Sequence, residues 1–125
     1  MKKLLLTGAS GNLGRMLAPR LAQAGYRLRL SDIAPFPDEL PEGAEFIQAD
    51  LTDAAAIADL VRGTDTILHF GGISVEQPYD LIAKANLIGV THVFEAARAE
   101  KQRVIFASSN HTIGFYTRDE TLSTD

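Results

Sequence analysis

The stretch Thr7-Gly8-Ala9-Ser10-Gly11-Asn12-Leu13-Gly14 restricts the fold more than any other part of the chain. It follows the apolar run Leu4-Leu5-Leu6 and opens into a segment whose apolar residues recur at helical spacing. A strand that ends in glycines and turns directly into a helix presents backbone N–H groups at the positive end of the helix dipole. That arrangement holds a phosphate without a cationic side chain. Each glycine has a distinct role: Gly8 gives the tight exit from the strand, Gly11 the close approach of a pyrophosphate, and Gly14 the close packing of helix on strand. A glycine-rich turn with no ligand would contain the same three glycines, so the rest of the chain decides.

Lys3 to Thr7 reads as a short buried parallel strand. Leu13, Met16, Leu17, Leu21 and Ala24 then form one helical face, which Gly25 ends and Pro19 is expected to kink. Tyr26 to Ser31 alternates as a second strand ending at Asp32, and Pro35, Pro37 and Pro41 make the following stretch a loop. A third strand runs from Glu45 to Ala49 and ends at Asp50-Leu51. Thr52 is expected to cap a short helix carrying Ile57, Leu60 and Val61, stopped by Gly63. Thr66 to Phe70 is strand four, ending at Gly71-Gly72. Pro78 opens a long helix with the stripe Leu81, Ile82, Ala85, Ile88, Val93, Phe94 and Ala97. Strand five is Arg103 to Ala107, ending at Ser108-Ser109-Asn110. Strands alternating with helices specify an α/β fold, here a Rossmann-type doubly wound parallel sheet of five strands within residues 1–116, followed by a polar tail, 117–125.

A chain of 125 residues with 46% apolar residues is one domain's worth with a real core. The formal charge of −4 argues against a nucleic acid or an anionic membrane as partner. Met1-Lys2-Lys3-Leu4 begins like a signal peptide, but the apolar run stops after three residues and nothing approaches a membrane span. With no cysteine, neither disulfides nor thiolate–metal sites exist, and a cytoplasmic location fits. His69, His92 and His111 share no metal-ligand spacing, so no metal site is expected; His69 reads as a hydrogen-bonded core histidine.

Every chemically suggestive stretch comes immediately after an apolar strand: the glycine loop, Asp32, Asp50, Gly71 to Ser74, and Ser108 to His111. In a parallel sheet that places them on one edge, where ligands sit. Asp32 lies 18 residues beyond Gly14, near the offset of an acidic residue that binds a ribose 2′-hydroxyl. Its carboxylate repels a 2′-phosphate and the following Ile33 and Ala34 offer no cation, which favours NAD over NADP. Asp50 falls where an adenine ring would lie and serves either a turn or the adenine amino group. Gly71 and Gly72 let a ribose approach the backbone, and Ser74 lies within reach of a substrate. Ser108, Ser109, Asn110 and His111 would be donors aimed at a substrate oxygen.

These residues resemble a known group. Thr7 to Gly14 matches the T-G-x-x-G-x-x-G pattern of the short-chain dehydrogenases/reductases, in the extended branch that includes sugar-nucleotide epimerases. Asn86-Leu87-Ile88-Gly89 is similar to that branch's N-x-x-G segment. Gly71-Gly72-Ile73-Ser74-Val75-Glu76 and Phe106-Ala107-Ser108-Ser109-Asn110-His111-Thr112-Ile113-Gly114 resemble the uronate dehydrogenases within it. The resemblance implies NAD as cofactor and a uronic acid as substrate, galacturonate or glucuronate, oxidised at the anomeric carbon to an aldarolactone. It implies Ser109 as the catalytic serine, with Ser74, Asn110 and His111 on the sugar. Gly8, Gly11, Asn12, Leu13, Gly14, Asp32, Ile33, Asp50, Leu51, Gly71 and Gly72 would form the NAD site. Asn86, counted with that site, would help position the catalytic lysine through its surroundings.

The branch's general base is the tyrosine of Y-x-x-x-K. Here Tyr26, Tyr79 and Tyr116 are followed four residues later by Leu30, Ala83 and Glu120. The expectation is therefore the amino-terminal part of such an enzyme, cut before its C-terminal half, inactive alone and a possible homo-oligomer when whole. Two other readings stand beside it: an epimerase or dehydratase acting on a nucleotide sugar, and a non-catalytic dinucleotide-binding module.

Overall fold

The structure, a computed structural model, describes residues 2–109 and 119–121. Five strands form one parallel sheet: β1 (Lys3–Thr7), β2 (Arg27–Asp32), β3 (Glu45–Gln48), β4 (Thr66–His69) and β5 (Arg103–Phe106), in the spatial order β3-β2-β1-β4-β5. The chain winds outward from β1 through β2 to β3, then returns to the other side of β1 for β4 and β5. The order therefore reverses between β1 and β4.

Each buried strand feeds two cores. Along β1, Leu4 and Leu6 join one cluster with Leu28, Leu30 and Leu68, while Leu5 joins the other with Ile67. An unbroken apolar run is what a strand covered on both faces needs. Helix α1 (Asn12–Gln23) covers the first face. Helices α2 (Ala54–Val61) and α4 (Gly89–Ala99) cover the second through Ile57, Leu60, Val61, Val93 and Ala97.

Three local expectations are corrected. The buried face of α1 is Gly14 and Ala18, with Leu17 and Leu21 partly buried beside them, while Leu13 and Met16 stay exposed. The small residues four apart let the helix backbone settle onto the sheet, which swings the bulky pair outward. The helix runs unbroken through Pro19, which lies on its exposed side. Thr52 does not cap α2: Asp53 does, its carboxylate accepting from the Ala56 amide at 3.0 Å. Thr52 instead donates both its amide and its hydroxyl to Asp50, at 2.8 and 2.9 Å.

The long helix after Pro78 is also not one periodic element. It is built of α3 (Tyr79–Ala83), a π-helical turn (Lys84–Ile88) and α4. The wider turn shifts the helical phase, so one 3.6-residue stripe cannot run its whole length. Val93 and Ala97 meet the sheet and Gly89 packs on Leu51, whereas Leu81, Ile88 and Phe94 remain exposed. The alternation of β2 likewise hides a use. Arg29 does not face water but donates to the Leu60 and Arg62 carbonyls at 2.7 Å each, satisfying the end of α2.

Candidate cofactor and substrate cleft

Gly8 leaves β1 with φ +70°, a conformation L side chains rarely adopt, and a Cβ there would lie 2.6 Å from the Phe70 carbonyl carbon of the adjacent chain segment. The turn closes with Gly11 N–H donating to Gly8 O at 3.2 Å. Gly14 has no room for a side chain because Gly8 O and Ala9 occupy the space. Gly11 faces the cleft, where an added Cβ would meet no protein atom nearer than Gly8 O at 3.4 Å. It is also the N-cap of α1 and contributes no side-chain bond to the helix start. The first-turn amides are thus left to an anion. Gly8, Gly11 and Gly14 thus occupy three different surroundings.

A cleft of about 1000 Å³ opens over this loop at the carboxyl ends of the strands, where the strand order reverses. Gly8, Gly11, Asn12, Leu13 and Gly14 form its floor, and Asp32, Ile33, Asp50 and Leu51 one wall. Gly71, Gly72, Ser74, Asn86 and Ser109 line the other side. The fold therefore gathers fourteen of the sixteen candidate residues into one cavity. Asn110 and His111 lie outside the described residues.

The Asp32 carboxylate is aligned by two backbone donors: Ser10 N–H to Oδ2 and Ala34 N–H to Oδ1, both at 3.0 Å. Carboxylate oxygens carry further lone pairs, so the vicinal hydroxyls of a ribose can be met as well. Asp50 shows the turn role directly through its bonds from Thr52, and it faces the cleft too. Leu51 is wedged in place. Its carbonyl accepts from His92 Nδ1–H at 2.8 Å, and its side chain fills the space beside Gly71 and Gly89.

Asn86 sits in the π-helical turn and clamps the segment after β4. Its Oδ1 accepts from Ile73 N–H at 2.7 Å and its Nδ2 donates to Ile73 O at 2.8 Å. Gly72 passes so close that a Cβ would lie 2.8 Å from that Oδ1. Asn86 therefore holds the backbone between Gly72 and Ser74, and that is the work its side chain does in this structure.

Sequence reasoning missed Thr7. Its buried Oγ1 accepts from Gly71 N–H at 3.2 Å and lies 2.6 Å from His69 Nδ1, tying the ends of β1 and β4 together under the cleft. The signal was present as a β-branched hydroxyl directly before Gly8. His69 is fully buried and stacks on Phe106, with ring centroids 5.7 Å apart. Burial lowers its pKa to about 4, so it is neutral near pH 7. This bears out the reading of His69 as a hydrogen-bonded core residue.

A parallel sheet whose strand order reverses above a glycine-floored cleft, with a carboxylate at the end of the second strand, defines the dinucleotide-binding class of α/β folds. The model of the NAD dependent epimerase/dehydratase family matches residues 4–125, and the chain belongs to that family. It is 51% identical over 121 residues to a uronate dehydrogenase of Pseudomonas putida, covering 96% of this chain and 45% of that protein. A crystal structure of uronate dehydrogenase from Agrobacterium tumefaciens, a tyrosine-to-alanine variant complexed with NAD, superposes with a TM-score of 0.89 at 50% identity. That match covers 98% of this chain and 46% of the other. A glucuronic acid dehydrogenase from Chromohalobacter salexigens superposes with the same TM-score, 0.89, at 44% identity, over 97% and 46% of the two chains. The chain spans a little under half the length of the relatives it matches.

Proposed function

We propose that this chain is the cofactor-binding part of an NAD-dependent uronate dehydrogenase, which oxidises galacturonate or glucuronate at the anomeric carbon to an aldarolactone. The observation that carries the reading is the meeting of Ser74 and Ser109, from the ends of different strands, in the cleft floored by the glycine loop. Bound NAD would supply the hydride acceptor for oxidation of the anomeric carbon. The α1 amides and Gly11 would hold the pyrophosphate, and Asp32 would take the adenosine ribose hydroxyls. Asp50 and Leu51 border the adenine, and Gly71 and Gly72 leave room for a ribose beside the backbone. Ser109 hydrogen-bonds the reacting hydroxyl as its charge changes, and Ser74 binds a sugar hydroxyl. Asn110 and His111 complete the sugar contacts in this reading. The proton acceptor is the tyrosine of a Y-x-x-x-K pair that these 125 residues do not contain.

The test is NADH formation by the full-length protein from galacturonate and glucuronate, beside conversion of UDP-sugars followed by chromatography, because an epimerase or dehydratase returns the hydride to the sugar and forms no net NADH. Turnover of the free uronates is expected, and turnover of UDP-sugars alone overturns the reading in favour of an epimerase or dehydratase. Ser109→Ala is expected to lower kcat by about a hundredfold, the usual effect of deleting one donor to a reacting oxygen, while NAD affinity holds.

A further inference from the structure

Residues 33–44 join β2 to β3 with neither helix nor strand, and this loop is laced to the start of α1 at two points. Ser10 Oγ donates to the Ala34 carbonyl at 3.1 Å. Four residues further along the loop, Asp38 receives a two-pronged fork from Arg15, Nε to Oδ2 at 2.6 Å and Nη2 to Oδ1 at 2.8 Å. Between these points Phe36 packs into the core on the α1 side and against Phe46, ring centroids 6.0 Å apart. The lip of the cleft is thereby held from Asp32 through the exposed Ile33 to Asp38.

Partly exposed ion pairs contribute little to folding, so the consequence of this one lies in where it puts a charge. Arg15 follows directly on the floor residues Gly11 to Gly14. Its guanidinium is turned toward the loop that continues from Asp32. Residues 33–44 contain no Lys or Arg and three acids, Asp38, Glu39 and Glu42. In this fold an arginine near the acidic residue is what accommodates a 2′-phosphate. Arg15 stands on the helix that opens at the glycine loop, but its Nε–Nη2 edge is engaged by Asp38, which holds the guanidinium against the β2–β3 loop and offsets its charge. The same bonds hold the Asp38 carboxyl below the usual carboxylate range.

We propose that Asp38 is a specificity-determining residue: by holding the Nε–Nη2 edge of Arg15 against the loop and offsetting its charge, it withholds that cation from a 2′-phosphate and reinforces the preference for NAD proposed for Asp32. The proposal rests on the reading of the cleft as a dinucleotide site. Full-length wild type, Asp38→Ala, Arg15→Ala and the double variant are titrated with NAD and with NADP by calorimetry. Asp38→Ala is expected to lower the ratio of the NADP to the NAD dissociation constant by about tenfold, the effect of one charge-assisted contact. Arg15→Ala combined with Asp38→Ala is expected to restore the wild-type ratio. An unchanged ratio in Asp38→Ala overturns the proposal. An equal fall in the double variant also overturns it, because loss of an acidic charge then explains the effect without Arg15. Wild-type protein that binds neither dinucleotide overturns the underlying reading instead.

Discussion

His69 shows how much one buried side chain can set. It lies between Thr7 and Phe106 in the middle of the sheet, with its Nδ1 taken and its Nε2 buried without a hydrogen-bond partner among the described residues. Its folded pKa, about 4, lies below the ordinary value of 6.5. Between those two values the unfolded chain binds the proton and the folded chain does not, so stability falls as pH drops from 6.5 toward 4. The shift corresponds to roughly 3 kcal/mol over that window. Urea unfolding at about pH 7 and about pH 4.5 should show this loss in the wild type. His69→Gln should be less stable at neutral pH yet flatter across the same window. An equal slope in both proteins would assign the acid sensitivity to the carboxylates.

Among the elements, the segment from Asp50 to α2 is held by short-range carboxylate chemistry. Asp50 folds the turn on Thr52, and Asp53 caps the helix. Asp53→Ala is expected to cost about 1 kcal/mol, read as a fall of a few degrees in Tm. Thr52→Ala leaves the cap intact and should cost less, the reverse of what the sequence pattern alone predicts. Asp, Asn, Ser and Thr are near-equivalent caps, and the choice between Thr52 and Asp53 depends on which side chain the preceding turn has already engaged. The long helix behaves in the same way at larger scale. Its apolar residues were legible, but its faces were not, because the π-helical turn at Lys84–Ile88 changes the angular step between them.

For the molecule as a whole, the cleft joins two halves of the sheet that wind away from each other. The glycine loop and Asp32 belong to the side running through β2, and Gly71 to Ser74 and Ser109 to the side running through β4 and β5. A dinucleotide that spans the cleft must couple them. Saturation at about one hundred times the dissociation constant of NAD should stabilise the full-length protein by about 2.7 kcal/mol. It should also slow amide exchange both in Gly8–Gly14 and in Gly71–Ile73. Slowing confined to one of these segments would show that the ligand does not reach across.

The sequence by itself determined the alternation of elements, all five strands to within a residue, and the strand-end position of the candidate residues. Those follow from local properties, namely apolar runs, glycine and proline punctuation and the offset from Gly14 to Asp32. Only the tertiary structure decided which residues share a space. Thr7, Gly71 and His69 are joined across two strands, and Asn86 holds Ile73 from the π-helical turn. Arg29 satisfies the end of α2, and Arg15 closes on Asp38. Thr7 and His69 are 62 residues apart in the chain, and even Ile73 and Asn86 are 13 apart. Hydrogen-bond partners at that range are set by strand order and helix phase, which no local pattern encodes.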